Sequence, residues 1–219
     1  PIEWHYIRLL DKHSEHAPRT LQRHLSSSPE FFNEVLSLCY RSRTEDADGA
    51  AEAQQPSAHQ RYMAEHAFHL LHEWNRVPGT SDDETVDERI LRDWCVIARR
   101  IAEESGRLDV CDSHIGQLFA RSKQQDDDGA WPCSAIRRVA DEIATDSLGS
   151  GMSCGIRNLR GACFRGSGGD QERDLAAEFR KRADRIRFES PFVARILDAV
   201  VESYQNEAKW WDERNRWEE

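Results

Sequence analysis

Apolar side chains recur along this chain at three- and four-residue intervals in nearly every segment, and the alternation that a half-buried strand needs is almost absent. That spacing restricts the chain to helices. In SSSPEFFNEVLSLCYRSR, Ser28 is placed to cap a helix whose first residue is Pro29, where the missing N–H costs nothing. Phe32, Leu36 and Cys39 then line one face, with Phe31, Val35 and Leu38 beside it. Upstream, Trp4, Ile7 and Leu10 and then Leu21 and Leu25 predict two short helices parted near Pro18. Downstream, a helix is expected over Ser57 to Arg76, and another over Val86 to Ser105 with Ile90, Trp94, Ile97 and Ile101 inward.

The same reading gives a short helix in DVCDSHIGQLFARS and one opening at Trp131-Pro132 with Ile136, Val139 and Ile143. The final helices start at Asp170 and break near Ser190-Pro191, and Phe192, Ile196, Val200 and Tyr204 make a stripe on the last of them. Two segments stand apart. Residues 44–56 carry no large apolar side chain, which predicts a mobile acidic loop. Residues 147–169 are rich in glycine and are expected to be a connection with only a short helix near Met152 to Leu159. The expectation is all-α: one domain over residues 1–219, an irregular multi-helix bundle or degenerate α-solenoid of about nine helices, ending in a long antiparallel helical hairpin.

Composition narrows the function classes. The 219 residues are 38% hydrophobic and 32% charged, no apolar run approaches a membrane span, and the first residues lack the pattern of a secretory signal. The expected location is the cytoplasm. The six cysteines are scattered without the close spacing of zinc sites and read as free thiols, with Cys95 on an apolar helical face. A formal charge of −10 argues against a nucleic-acid-binding surface over the whole molecule. One local patch is still open, because the segment from Arg157 to Arg187 holds nine basic and five acidic residues.

No chemistry-bearing constellation is complete. His59, His66, His69 and His72 share one expected helix, but neither HExxH nor paired ExxH elements accompany them, so no metal is expected. GSGMSCG around Cys154 lacks the preceding strand that gives a nucleophile elbow its meaning, and RGSGGD lacks the lysine and strand of a phosphate loop. Neither catalytic residues nor a cofactor are therefore assigned. Arg157, Arg160, Arg165 and Arg173 are candidate contacts for a partner or anion, near the start of the helix at Asp170. Trp210, Trp211 and Trp217 are candidate aromatic contacts, since adjacent Trp210 and Trp211 cannot both face one neighbouring helix. In RGACFRGSGGDQERD, Asp170 is expected to cap the helix. Gly168 and Gly169 are expected to matter to stability, and Arg160 and Arg165 to be ordinary surface residues.

The pattern Arg160-Gly161, Arg165-Gly166, Gly168-Gly169, Gln171-Glu172-Arg173, Leu175-Ala176, followed by ESYQNEAKWWDE, resembles the carboxyl-terminal region of a family of very large, mostly uncharacterised bacterial proteins. WHYIRLLDKH, SPEFFNEVLSLCYR, LLHEWNRVPGT and DSHIGQLFA extend the resemblance over most of the chain. It implies a helical module of a longer polypeptide of the kind associated with bacterial defence or signalling, and it supplies no catalytic residues. The expected function is a non-enzymatic protein-interaction or scaffold module that contacts a protein partner or other domains of its parent polypeptide. The alternative is a nucleic-acid-binding module using residues 157–187.

Overall fold

The computed structural model describes residues 4, 18–43, 56–161 and 168–218, with side chains as far as residue 214. Residues 44–55 of the expected acidic loop, the expected first helix apart from Trp4, Cys163, Arg165 and the Trp217 side chain lie outside the described residues. Nine helices are described: α1 Arg19–Ser27, α2 Pro29–Cys39, α3 Ala58–Glu73, α4 Glu88–Glu104, α5 Leu108–Ala120, α6 Ser134–Ile143, α7 Asp146–Asn158, α8 Asp170–Ile186 and α9 Pro191–Glu218. The only β feature among the described residues is an isolated antiparallel bridge between Thr80 and Val86 in the turn before α4. The molecule is an all-helical bundle, and its buried apolar side chains form one cluster running from Leu21 to Tyr204.

Local chemistry sets the helix starts. The Ser28 hydroxyl accepts from the Phe31 N–H at 3.1 Å with Pro29 at the first helical position, and Ser57 forms a capping box with Gln60 at the start of α3. Around them α1, α2 and α4 close on an aromatic triangle. The Phe32, Trp74 and Trp94 rings lie 5.1 to 5.6 Å apart between centroids, all tilted and buried. Each indole N–H is satisfied there: Trp94 donates to the Leu25 carbonyl and Trp74 to the Ser26 hydroxyl, both at 3.1 Å.

The inward face of α4 differs from the one expected. Leu91, Trp94, Cys95, Ala98 and Ala102 are buried, and Ile90 is exposed. Small residues win because α2 approaches closely enough for the Asn33 amide to donate to the Ala98 carbonyl at 3.1 Å. Bulkier Ile97 and Ile101 stand at the flanks, half-buried.

The larger correction concerns residues 147–169. Residues Asp146 to Asn158 are a continuous helix, α7, packed tightly along α5. Its glycines make contacts between helices. A Cβ on Gly155 would stand 2.7 Å from the Ala120 Cβ, one on Gly116 of α5 would stand 2.7 Å from the Met152 nitrogen, and one on Gly151 would overlap the Ser113 carbonyl. Only hydrogen fits at these crossings, so residues that disfavour a helix in isolation are required by this packing. Thr145 starts the helix: its hydroxyl accepts from the Leu148 N–H at 3.2 Å and donates to buried Asp112 at 2.8 Å. Asp112 also receives Arg99 at 2.7 Å, which ties α4, α5 and the head of α7 together.

The expected terminal hairpin is present. Arg173 meets Asp212 at 2.7 Å, the Phe179 ring stacks on Tyr204 at 5.9 Å, and Arg187 meets Asp198 at 2.7 Å. These pairs converge on the turn as the residue numbers approach each other, which is an antiparallel register. At the turn, Arg137, only 3% exposed, binds Asp126 at 2.9 Å, Glu189 at 3.3 Å and the Ser190 hydroxyl at 3.2 Å. It pins the hairpin to α6.

Candidate functional site

Because α7 is seated in α5 through one face, its opposite face is free to form a wall. Gly149, Ser150, Ser153, Cys154 and Arg157 lie along that wall, and α9 supplies the other with Phe192, Arg195, Ile196, Ala199, Tyr204 and Glu207. A Cβ on Gly149 would be 3.6 Å from both the Phe192 and Ile196 side chains, and Arg157 reaches Glu207 at 2.5 Å. The two helices therefore run side by side in the same direction. Between them opens a groove of about 800 Å³. Its floor is apolar, with Phe192 and Ile196 mostly covered, and its rim is polar, with Ser150, Cys154, Arg157 and Arg195 exposed.

The electrostatics differ from one end to the other. At the carboxyl end of α7, Arg160 lies 2.8 Å from Glu172 and 3.9 Å from Glu207, with its guanidinium carbon 5.9 Å from the Tyr204 ring centroid. Arg157 and Arg160 are thus both drawn to Glu207. Arg195 sits differently: its guanidinium carbon is 5.4 Å from the Phe192 ring centroid, and no carboxylate among the described residues pairs with it. Three guanidinium groups and two carboxylates, Asp146 and Glu207, line the groove.

The structure brings together two of the four candidate contact arginines, Arg157 and Arg160. Arg173 lies on the hairpin edge, bound to Asp170 and Asp212, each at 2.7 Å. Arg160 is not the ordinary surface residue expected, because its side chain is 15% exposed and covers an almost fully buried Glu172. The expected cap is also corrected. Gly169 occupies the N-cap of α8 without a side-chain cap, its N–H donating to Asp212 at 2.9 Å, and Asp170 instead pairs with Arg173. The expectation for the two glycines agrees with the geometry. Gly168 has φ of +79°, and a Cβ on Gly169 would press on the Ala208 backbone.

Trp210 is exposed and Trp211 half-buried, their rings meet edge to face at 4.5 Å, and Arg214 stacks over both. His66 is buried, its Nδ1 2.8 Å from the Trp4 carbonyl and its ring against Tyr62, while exposed His72 stacks on Phe68. No three His, Cys, Asp or Glu side chains among the described residues come together around a common point. Cys39, Cys95, Cys111, Cys133 and Cys154 are free thiols. Burial pushes the Cys39 thiol up to about 11 and raises Cys95 and Cys111 as well, so these are packing groups rather than thiolates.

Sequence reasoning missed Arg195, Ser150, Ser153 and Glu207. The available signal was the run of small residues Gly149, Ser150, Ser153 and Cys154, which on a helix share one side. The fold and groove define an all-helical bundle with an open interhelical cleft. Neither family models, nor curated proteins, nor solved structures give a match to this chain, so the groove is interpreted from its own chemistry. No helix among the described residues is long and apolar enough to cross a membrane.

Proposed function

We propose that this chain is a non-enzymatic helical protein-interaction module and that the groove between α7 and α9 is its contact site. One observation carries the reading: an open cleft with a covered apolar floor and an exposed polar rim, held between two helices that are each fixed from behind. The α5 glycine contacts hold α7, and the hairpin holds α9, so the cleft is preformed and binding loses little to ordering. In keeping with the resemblance to the ends of very large bacterial proteins, the module acts in the cytoplasm within a longer polypeptide, on another protein or on a neighbouring domain.

The nucleic-acid reading has less support. Arg157, Arg160, Arg173, Arg180, Arg182 and Arg187 of the basic segment each face a carboxylate, which lowers the field a phosphate backbone would meet.

The test is photocrosslinking in the native cell, with a photoreactive residue at Ser153 and, as a control, at exposed Arg89 of α4. A discrete protein adduct from Ser153 alone is expected. Adducts to nucleic acid, or turnover of nucleotides that disappears in Cys154→Ala, would overturn the reading.

A further inference from the structure

The groove has a length, a floor and a charge, and together they specify its occupant. Its α7 side follows the helix from Thr145 to Asn158, roughly 20 Å at 1.5 Å per residue, and continues to Gly161. That matches a helix of about four turns rather than a small metabolite. From Gly149 to Cys154 the wall side chains of α7 are small, and Ala199 continues the small surface on α9, so a third helix could approach both backbones closely there. Phe192 and Ile196 below offer the apolar surface such a helix would cover.

The charge selects the sign. Glu207 is committed to Arg157 and Arg160, whereas Arg195 stands exposed on the rim with only the Phe192 ring beneath it. A carboxylate from a partner would complete an Arg195 pair above the Phe192 ring, where the guanidinium offers a planar fork for a bidentate bond. A basic partner would meet a guanidinium that has no carboxylate beside it among the described residues.

Resting on the assignment of the groove as the contact site, we infer that its occupant is an amphipathic, acidic helix of a protein partner, with small apolar residues over Phe192 and Ile196 and an Asp or Glu against Arg195. Cys154, exposed on the groove wall, serves as an internal reporter of occupancy.

The experiment uses a display library of helical peptides about 16 residues long, randomised on one face and selected on the whole chain. Binding is read by fluorescence anisotropy and by protection of Cys154 from a thiol reagent. Selected peptides are expected to be net acidic, to slow Cys154 labelling at least tenfold, and to lose at least tenfold in affinity on Arg195→Glu. A Glu→Lys peptide should regain binding to that variant. Ser150→Trp, at an exposed position that fills the groove, should abolish binding, with unchanged thermal melts showing that both variants fold. Peptides that need an open groove but are neutral or basic, or that ignore Arg195→Glu, would overturn the acidic partner and leave the groove assignment standing. Peptides insensitive to Ser150→Trp, or no peptide that protects Cys154, would remove both.

Discussion

Arg160 places its guanidinium 2.8 Å from the carboxylate of Glu172, a side chain 2% exposed, and so joins the end of α7 to the start of α8. Removing the cation takes an ion-pair partner from a carboxylate that burial has already stripped of water. Arg160→Gln is therefore expected to lower stability by about 3 kcal/mol, and Arg160→Gln with Glu172→Gln by less than the single change. Urea unfolding of the two variants checks the order. A loss below about 0.5 kcal/mol from Arg160→Gln would place the pair among ordinary surface contacts.

The glycines of α7 should separate into two classes. Gly151→Ala forces a methyl onto the Ser113 backbone and is expected to cost about 2 kcal/mol. Gly149→Ala meets only ordinary contacts at 3.6 Å and removes a helix-weakening residue, so it should stabilise by up to about 1 kcal/mol. Thermal melts of the two variants should shift in opposite directions.

His114 is buried, its Nε2 3.0 Å from the Tyr40 hydroxyl, and desolvation with the nearby Arg121 and His72 charges pushes its pKa down to about 4. In the unfolded chain it takes a proton near 6.5, so between about 6.5 and 4 the unfolded state binds more protons. Stability should fall as pH falls through that window, by up to about 1.4 kcal/mol per pH unit from this group, and level off below it. His114→Gln should flatten that component. Urea midpoints measured from pH 7 to 4 in both proteins decide it, and equal slopes would mean that His114 titrates normally.

Thiol labelling should follow burial. Cys154 is expected to react at once, whereas Cys95 and Cys111, buried with raised pKa values, should react only through opening of the fold. Cys154→Ala should remove one equivalent from the fast phase, counted by absorbance of the released reagent.

What the sequence made legible was whatever its own neighbourhood decides. Ser28 and Pro29 announce α2 because capping involves residues three apart, and the stripe Phe192, Ile196, Val200 and Tyr204 announces α9 because one helix face suffices. The helix at Asp146 to Asn158 was legible only in its second half, because Gly151 and Gly155 are explained by Ser113, Gln117 and Ala120 of α5, more than thirty residues away in sequence. The face of α4 was misjudged for a related reason, since Ala98 is chosen by Asn33 of α2 and not by hydrophobicity. Half of the site was readable in Arg157 and Arg160. Arg195 was not, because its significance is that no carboxylate among the described residues meets it, and such a lack has no local signature.

The aromatic triangle has an optical consequence. Trp74 and Trp94 hold their indoles 5.6 Å apart at an interplanar angle of 52°, in fixed chiral order inside the core. Transition dipoles that close and that tilted couple, and the coupled pair absorbs left- and right-circularly polarised far-ultraviolet light unequally, in two lobes of opposite sign. A spectropolarimeter pointed at this chain therefore records an exciton signal laid over the helical one. Any loosening around Phe32 would alter the recorded ellipticity before a single helical turn had melted.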